Sequence, residues 1–481
     1  MGLNAAMDIG RNALMIFQAA NEVTSQNIAN VNTPGYSRQK VILESAPTST
    51  SIHGYPLESG VRISNVERVY DGLLQQQMVS SSSTQSYDTT KSQVLQQIEP
   101  TFNETSTDGL GAAVSNFFSS WQDLTTNPAG YFERQAVISR AQSLADNFHS
   151  VSQTLTNTIA TQDAALPPLT DSINVTLQGI ARLNGQIKNT EMLSGNDNVT
   201  RDQRDQLIRD LSQKMGIKFT ENQDGTTDVY VENSTTKAVN YLVQGTLSGS
   251  LSTAITPPAT STAVTINDVA AATITVDPKD TAPLYTAPDG GQLWGTLQLR
   301  DTIIPGYLAK IDTLAESITT AVNALHVNGF NPAGDPAGQN FFTPWAVSGA
   351  AANFTLDPGL TSTTIAASSS ATLPGDNSNA LAIAKLANKS TTPSATPSAT
   401  FNSYYNGFVS SFGMDVQSSK ATVVQDDAYT KQLTALRDSN SGVSLDEELT
   451  NLIKYQRSYQ ASAKIITTVS DMLDVTLAMI R

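Results

Sequence analysis

A chain of 481 residues has room for about three domains, yet it is 39% hydrophobic and only 15% charged, with Ser, Thr, Asn, Gln and Ala filling the difference. That thin supply of core suits an elongated protein, or one that finishes its core in an assembly; the elements taken in chain order make it multidomain α+β. A formal charge of −15 disfavours phosphate backbones and anionic membranes, and the absence of cysteine excludes thiolate catalysis, disulfides and Cys-ligated zinc.

The first residues, MGLNAAMDIGRNALMIFQAANE, carry no basic segment followed by a long apolar core, so no cleaved secretory signal is expected. No stretch approaches the roughly 18 apolar residues of a membrane span. Residues 3–31 predict one helix, because Leu3, Met7, Gly10, Leu14, Phe17, Asn21, Thr24, Ile28 and Val31 alternate spacings of four and three. Thr33-Pro34-Gly35 ends it. Short strands follow at Gln39–Leu43 and Val61–Val66. Helical patterning returns over 70–98, 107–126 and 130–165, and Pro167-Pro168 is expected to break the last of these. Ile173, Leu177, Ile180, Asn184 and Ile187 restart the heptad spacing, and 199–215 reads as a charged helix.

From 217 to about 290 the composition turns to Thr, Val and Gly in alternating runs, which reads as an inserted β domain. A helix is expected over 300–326, then a loop-rich segment, then a low-complexity stretch at 390–400. The last helix starts at Leu445, with Ser444 and Glu447 as an expected capping box. Its seam runs Leu445, Leu449, Leu452, Gln456, Tyr459, Ala463, Ile466, Ser470, Leu473, Leu477, Ile480. The expected division is a terminal-helix domain with a β-hairpin stretch from 1–70 and 440–481. A mainly helical rod follows from 71–216, 288–335 and 375–439, with a β insertion at 217–287 and a loop-rich or small β insertion at 336–374.

Catalytic patterns are missing. His53, His149 and His326 fall on separate predicted elements, and no GxGxxG, P-loop, HExxH or GxSxG pattern occurs. Asn196, Asp197, Asn198 and Asp202 lack the spacing and glycine of a calcium loop. Arg201-Asp202-Gln203-Arg204-Asp205 reads as a solvated, salt-bridged helix face. No catalytic, cofactor or metal residue is assigned. What remains is the pair of terminal seams. The plain reading is an ordinary intramolecular helix pair; but a lone helix is marginal in water, and two together bury little. The ends are therefore expected to be mobile in the free subunit and helical in an assembly.

Ser25-Gln26-Asn27-Ile28-Ala29-Asn30-Val31-Asn32-Thr33-Pro34-Gly35-Tyr36 resembles the signature of flagellar rod, hook and hook-associated proteins, and residues 448–464 (ELTNLIKYQRSYQASAK) resemble its C-terminal counterpart. Tyr36-Ser37-Arg38-Gln39, Gly442–Glu448, Asp202–Ile208 and Gly290–Asp301 resemble the hook-associated protein 1 family within that group. The resemblance spans about 1–216, 288–335 and 400–481. It implies a non-enzymatic structural adapter at the bacterial flagellar hook–filament junction, exported uncleaved through the flagellar type III apparatus and located outside the cell. It implies partners: further copies in a ring, the hook protein, the second junction protein, and an export chaperone on the C-terminal helix, with no nucleic acid and no membrane insertion. Leu3, Leu14, Phe17 and Ile28 are expected to pack against Leu449, Leu452, Tyr459, Ile466, Leu473, Leu477 and Ile480 of the same or neighbouring subunits. Asn27, Asn30, Asn32, Pro34 and Gly35 are expected to serve the turn, to cap the helix or to bond between subunits. The rival readings are a hook or distal-rod protein, and an axial protein whose insertion is a wall hydrolase or an adhesin.

Overall fold

The computed structural model describes residues 2–46, 48–52, 55–58, 60–102, 109–232, 238–254, 262–270, 273–276, 290–344, 349–373, 375–390 and 399–479. The chain opens with α1 (Gly2–Ala29), then β1 (Gln39–Ser45), β2 (Thr48–Ile52), β3 (Tyr55–Glu58) and β4 (Val61–Arg68). Four helices follow: α2 (Gly72–Phe102), α3 (Leu110–Leu124), α4 (Tyr131–Ser194) and α5 (Asn198–Lys214). The β insertion contains β5 (Lys218–Glu221), β6 (Thr227–Glu232), β7 (Val239–Gln244), β8 (Leu247–Ser248), β9 (Ser250–Ala254), β10 (Ala263–Asn267) and β11 (Thr273–Val276). Next, α6 (Gly291–Gln298) runs through a π turn (Leu299–Ile303) into α7 (Ile304–His326), so helix begins ahead of the expected residue 300. The remainder is α8 (Ser378–Ala384), α9 (Phe401–Ser441) and α10 (Leu445–Ala478).

The sheets are small and local. β1 pairs antiparallel with β4 across a bulge at Ile42/Leu43, and β2 with β3. The insertion holds two antiparallel meanders, β5-β6-β7-β8 and β9-β10-β11. Alternation serves them: Thr227, Val229 and Val231 of β6 face inward while their neighbours are half-exposed. Among the described residues of 336–374 there are isolated bridges, such as Phe342 with Leu356, rather than strands. Side chains organise that segment instead. Asn323 accepts from the N–H groups of Phe341 and Phe342 at 2.9 Å and donates to Phe342 O at 2.8 Å.

Two apolar clusters hold the body. One gathers Phe117, Trp121, Phe148, Phe341, Phe342 and Phe354 between α3, α4, α7 and the loop segment, with the first half of α9 completing it. The other joins the second half of α4 to α5, α6 and the inserted sheets. Neither includes a residue of α1 or α10. The clusters also explain one departure from expectation. Pro167 and Pro168 do not break α4, which runs for 64 residues, roughly 96 Å at 1.5 Å per residue. Two prolines remove two helical donors. Leu166, Leu169, Thr170 and Ile173 are buried on both sides of them, and Thr170 Oγ1 donates to Pro167 O at 2.8 Å. Packing on a fixed partner surface outweighs the lost hydrogen bonds.

Candidate functional site

The two terminal helices lie antiparallel. Gly10 faces Ile466, Phe17 stacks on Tyr455 with ring centroids 6.5 Å apart, and Asn27 meets Glu448. At Gly10 a Cβ would fall 2.9 Å from Ile466 Cγ1, so glycine sets how closely the backbones approach.

The inward residues keep the heptad rhythm with one recurring difference from expectation. On α1 they include Gly10, Ala13, Phe17, Ala20, Thr24 and Asn27; on α10 they include Glu448, Leu452, Tyr455, Ser462, Ile466, Val469 and Leu473. At several expected positions the preceding residue turns inward instead: Asn27 rather than Ile28, Glu448 rather than Leu449, Val469 rather than Ser470, and Ile16 is buried ahead of Phe17. Leu449 is 48% exposed and Leu477 63%, while Tyr459, one heptad before Ile466, is 39% exposed. Leu3, Leu14 and Ile28 are half-buried beside the seam. Ile480 lies outside the described residues.

Where the pair meets the body, polar groups take over from apolar ones. Asn27 is 1% exposed. Its Nδ2 donates to Gln39 O at 2.8 Å and to Glu448 Oε2 at 3.1 Å. Its Oδ1 accepts from Gln39 N at 3.0 Å and Tyr36 Oη at 2.8 Å. Both donors and both acceptors of the amide are used, joining α1, the start of β1 and α10. Asn30 serves the turn: it donates to Gln26 O and accepts from Thr33 Oγ1. Asn32 and Pro34 are exposed. Gly35 has φ +83, and a Cβ there would press on Arg209 and Gln206 at 3.1 Å.

Directly beneath is a buried ion network. Arg68 Nη1 reaches Asp202 at 3.1 Å and Asp205 at 2.6 Å, and the guanidinium lies over the Tyr70 ring at 4.1 Å. Ser37 N donates to Asp202 Oδ2 at 2.9 Å. Asn198 donates to Val66 O at 2.8 Å. Burial opposes the charge on Arg68, but Asp205 and Asp202 outweigh it and hold its proton more tightly than usual. Burial, then Asp202, pushes the Tyr36 phenol up to about 12, so it stays a donor to Asn27. Arg204, 1% exposed, donates to Gly225 O and Asn184 Oδ1 and so ties α5 to the sheet. The charged run 201–205 is thus buried and paired rather than solvated. Its charges do not face one direction; they face three different elements. From the other side Arg437 donates to Tyr36 O at 2.9 Å, Arg38 N donates to Ser441 O at 2.8 Å, and Arg38 pairs with Glu447. That contact takes Glu447 away from the expected capping box, and Ser444 makes no side-chain cap bond.

This hub ties α1, β1, β4, α5, α9 and α10 together through side-chain hydrogen bonds and ion pairs. His326 is buried, His149 is half-buried on α4, and His53 lies outside the described residues. The comparisons with known proteins fall on the same elements. The model of the flagellar hook-associated protein FlgK helical domain matches residues 95–342, over half of the chain. The chain belongs to the FlgK family. It is a structural component of the bacterial flagellum. Two further family models cover its ends: the flagella basal body rod protein at 7–36 and the flagellar basal body rod FlgEFG protein C-terminal model at 437–479. Flagellar hook-associated protein 1 of Bacillus subtilis is 28% identical over 98% of this chain and 97% of its own. Its counterpart from Escherichia coli is 27% identical over 99% and 98%. The flagellar hook junction protein FlgK from Burkholderia pseudomallei shares the fold at a TM-score of 0.64, covering 76% of this chain and all of its own, at 17% identity.

In this FlgK-family chain, pattern reading misses Glu448, Tyr455, Arg68 and Arg204. For Asp202 and Arg204 the signal is the run of opposite charges that opens α5; Arg68, at the end of β4, carries no such mark. No period of apolar residues can reveal a partner so far away in sequence.

Proposed function

We propose that this protein is a non-enzymatic adapter of the hook–filament junction that joins neighbouring axial subunits through its paired terminal helices. The observation carrying this reading is the outer face of the pair. Leu449, Ile453, Ile465, Met472, Val475 and Leu477 are all substantially exposed along α10, on both flanks of the face that α1 covers. So many exposed apolar side chains flanking the seam mark a surface that is covered in its working state. Further copies in a ring would cover it, with the hook protein on one side and the second junction protein on the other. Before export a chaperone on α10 would do the same. Phe17 on Tyr455 and Asn27 on Glu448 hold the pair together with Leu3, Leu14 and Ile28 beside the seam, while Asn32 and Pro34 stand exposed at the turn after α1.

Deletion of 445–481 tests this. The body should keep its thermal unfolding transition, since neither core cluster draws on α10. Hooks should remain unjoined, and filament subunits should leak into the medium. Normal filaments after the deletion would sink the proposal. The rod-protein models at both ends favour a second reading, a hook or distal-rod subunit. Purified protein that polymerises alone into long tubes would favour that; a short zone added to existing hooks favours the adapter.

A further inference from the structure

Between the aromatic body and the hub, α2 and α9 run antiparallel as a two-helix stalk. Its body end is apolar: Ile98 and Phe102 of α2 meet Phe408, Phe412 and Val416 of α9. Beyond Ser419, the only buried side chains of α9 are Leu433 and Ser441. In that stretch the helices are joined by polar rungs. Ser81 Oγ lies 2.9 Å from Thr430 Oγ1, Gln85 Nε2 lies 3.5 Å from Asp427 Oδ1, and Lys420 Nζ lies 3.1 Å from Glu99 Oε2. Each of these rungs has a donor.

One rung does not. Asp88 of α2 faces Asp426 of α9, acceptor against acceptor, and Asp426 Oδ2 is buried with no hydrogen-bond partner. A buried acceptor left unbonded is expensive, and two adjoining carboxylates cannot both ionise cheaply. We propose that Asp88 and Asp426 form a proton-binding rung, so that the lower α2–α9 stalk is tight when the pair shares a proton and loose when both carboxylates are ionised.

The surroundings favour this. Lys91, one turn along α2, is the cation that acts on Asp88. Asp427 is already held by Lys431 at 2.6 Å, and Lys420 by Glu99. Tyr87 adds no charge: burial, then Asp88, raises its phenol. The helix on the far side of α2, α6, has no ionisable residue, and Gln213 of α5 shares a groove with Gln85 and Thr89. Burial, reinforced by Asp426, pushes the Asp88 carboxyl up to about 6. The sign follows. A carboxyl that holds its proton more tightly when folded stabilises the stalk below its unfolded value of 3.8, and that contribution is lost as pH rises through about 6. The loss therefore falls near neutrality.

Hydrogen exchange by mass spectrometry on the full chain tests the rung, with intrinsic rates corrected for pH. Wild-type amides of 76–92 and 420–436 should be protected at pH 5 and lose protection by pH 8, while those of α3 and α7 do not. Asp88→Asn supplies a permanent donor. It should hold the stalk at the pH 5 level at both pH values, about tenfold slower than wild type at pH 8, the equivalent of one pKa unit of interaction. Asp426→Asn should do the same from the other side and guards against a folding defect in either single variant. Equal wild-type protection at pH 5 and pH 8 would overturn the proposal. So would a wild-type pH profile in both Asn variants. So would calcium restoring the pH 8 protection in wild type after EDTA treatment, since a cation rather than a proton would then bridge the pair.

Discussion

The body and the terminal pair are both made of long helices, yet different forces hold them. In the body, six aromatic rings from two helices and one loop segment meet in a single buried cluster, and a helix tolerates even two consecutive prolines because the surface beneath them is fixed. In the terminal pair, glycine, alanine, threonine and serine line much of the seam, and the anchoring contacts are hydrogen bonds at one end. α10 turns Leu452, Tyr455, Ile466 and Val469 inward but leaves Leu449, Ile453, Met472 and Leu477 exposed. The body buries its hydrophobic residues in its own core, whereas α10 leaves several exposed, as the proposed joining role requires. A subunit must fold its body alone, while its joining surface must stay separable until assembly.

The largest expected effect is in the body. Trp121→Ala empties the space between Phe117 and Phe341, and such truncations cost about 3–5 kcal/mol. Calorimetry should show the main transition falling by several degrees, with the exchange protection of α1 and α10 little changed. Asn27→Ala should do the reverse. It leaves Gln39 N–H and C=O, Tyr36 Oη and Glu448 Oε2 without their shared partner, at about 1–3 kcal/mol. Limited proteolysis should release the terminal helices early while the main transition stays in place. If Asn27→Ala lowers that transition as much as Trp121→Ala does, the two regions are not independent.

Legibility follows the same division. Helix after helix could be read from apolar spacing, and the heptad rhythm of α1 and α10 is present in the structure. The choice of residue within each heptad was not readable. Leu449 is the apolar option, but the seam takes Glu448 because Asn27 offers it a donor 421 residues away in sequence. The same device recurs. Asn184 of α4 bonds Thr227 N and O, and Asn174 bonds Leu251 N and O at 2.7–2.8 Å. With Asn27 and Asn323, each is a helix asparagine whose amide mimics a strand edge and pins a non-helical segment. An asparagine in an apolar helical stripe signals such a clamp, but sequence spacing does not reveal what it holds.

A smaller effect separates the regions by pH. His326 is buried, with Nδ1 3.0 Å from Gln339 O and Nε2 accepting from Ala366 N at 3.2 Å, so its neutral form is required. Burial, against a smaller pull from Gln339 O, holds its pKa below the ordinary 6.5. Its contribution is complete above about 6.5 and is lost as pH falls toward the lower folded value. Acid therefore loosens the loop segment of the body while it tightens the stalk. Unfolding of the body at pH 7 and pH 5 should differ more in wild type than in His326→Gln, whose amide can both donate and accept; identical pH responses would remove His326 as the cause.

The smallest effect on the isolated subunit should come from the residues with the strongest assembly role. Leu449 and Leu477 are 48% and 63% exposed, so replacing both with Ser removes little buried area. Exposed substitutions of this kind usually stay within about 0.5 kcal/mol. Calorimetry and exchange on the subunit should barely register Leu449→Ser with Leu477→Ser. Addition of that variant to purified hooks should nevertheless fail, because the exposed apolar surface flanking the seam would no longer offset the ordering of its neighbours' helices. A variant that joins hooks normally would mean the outward face of α10 is an incidental surface. The division between a self-sufficient body and a joining pair would then rest on the polar hub alone.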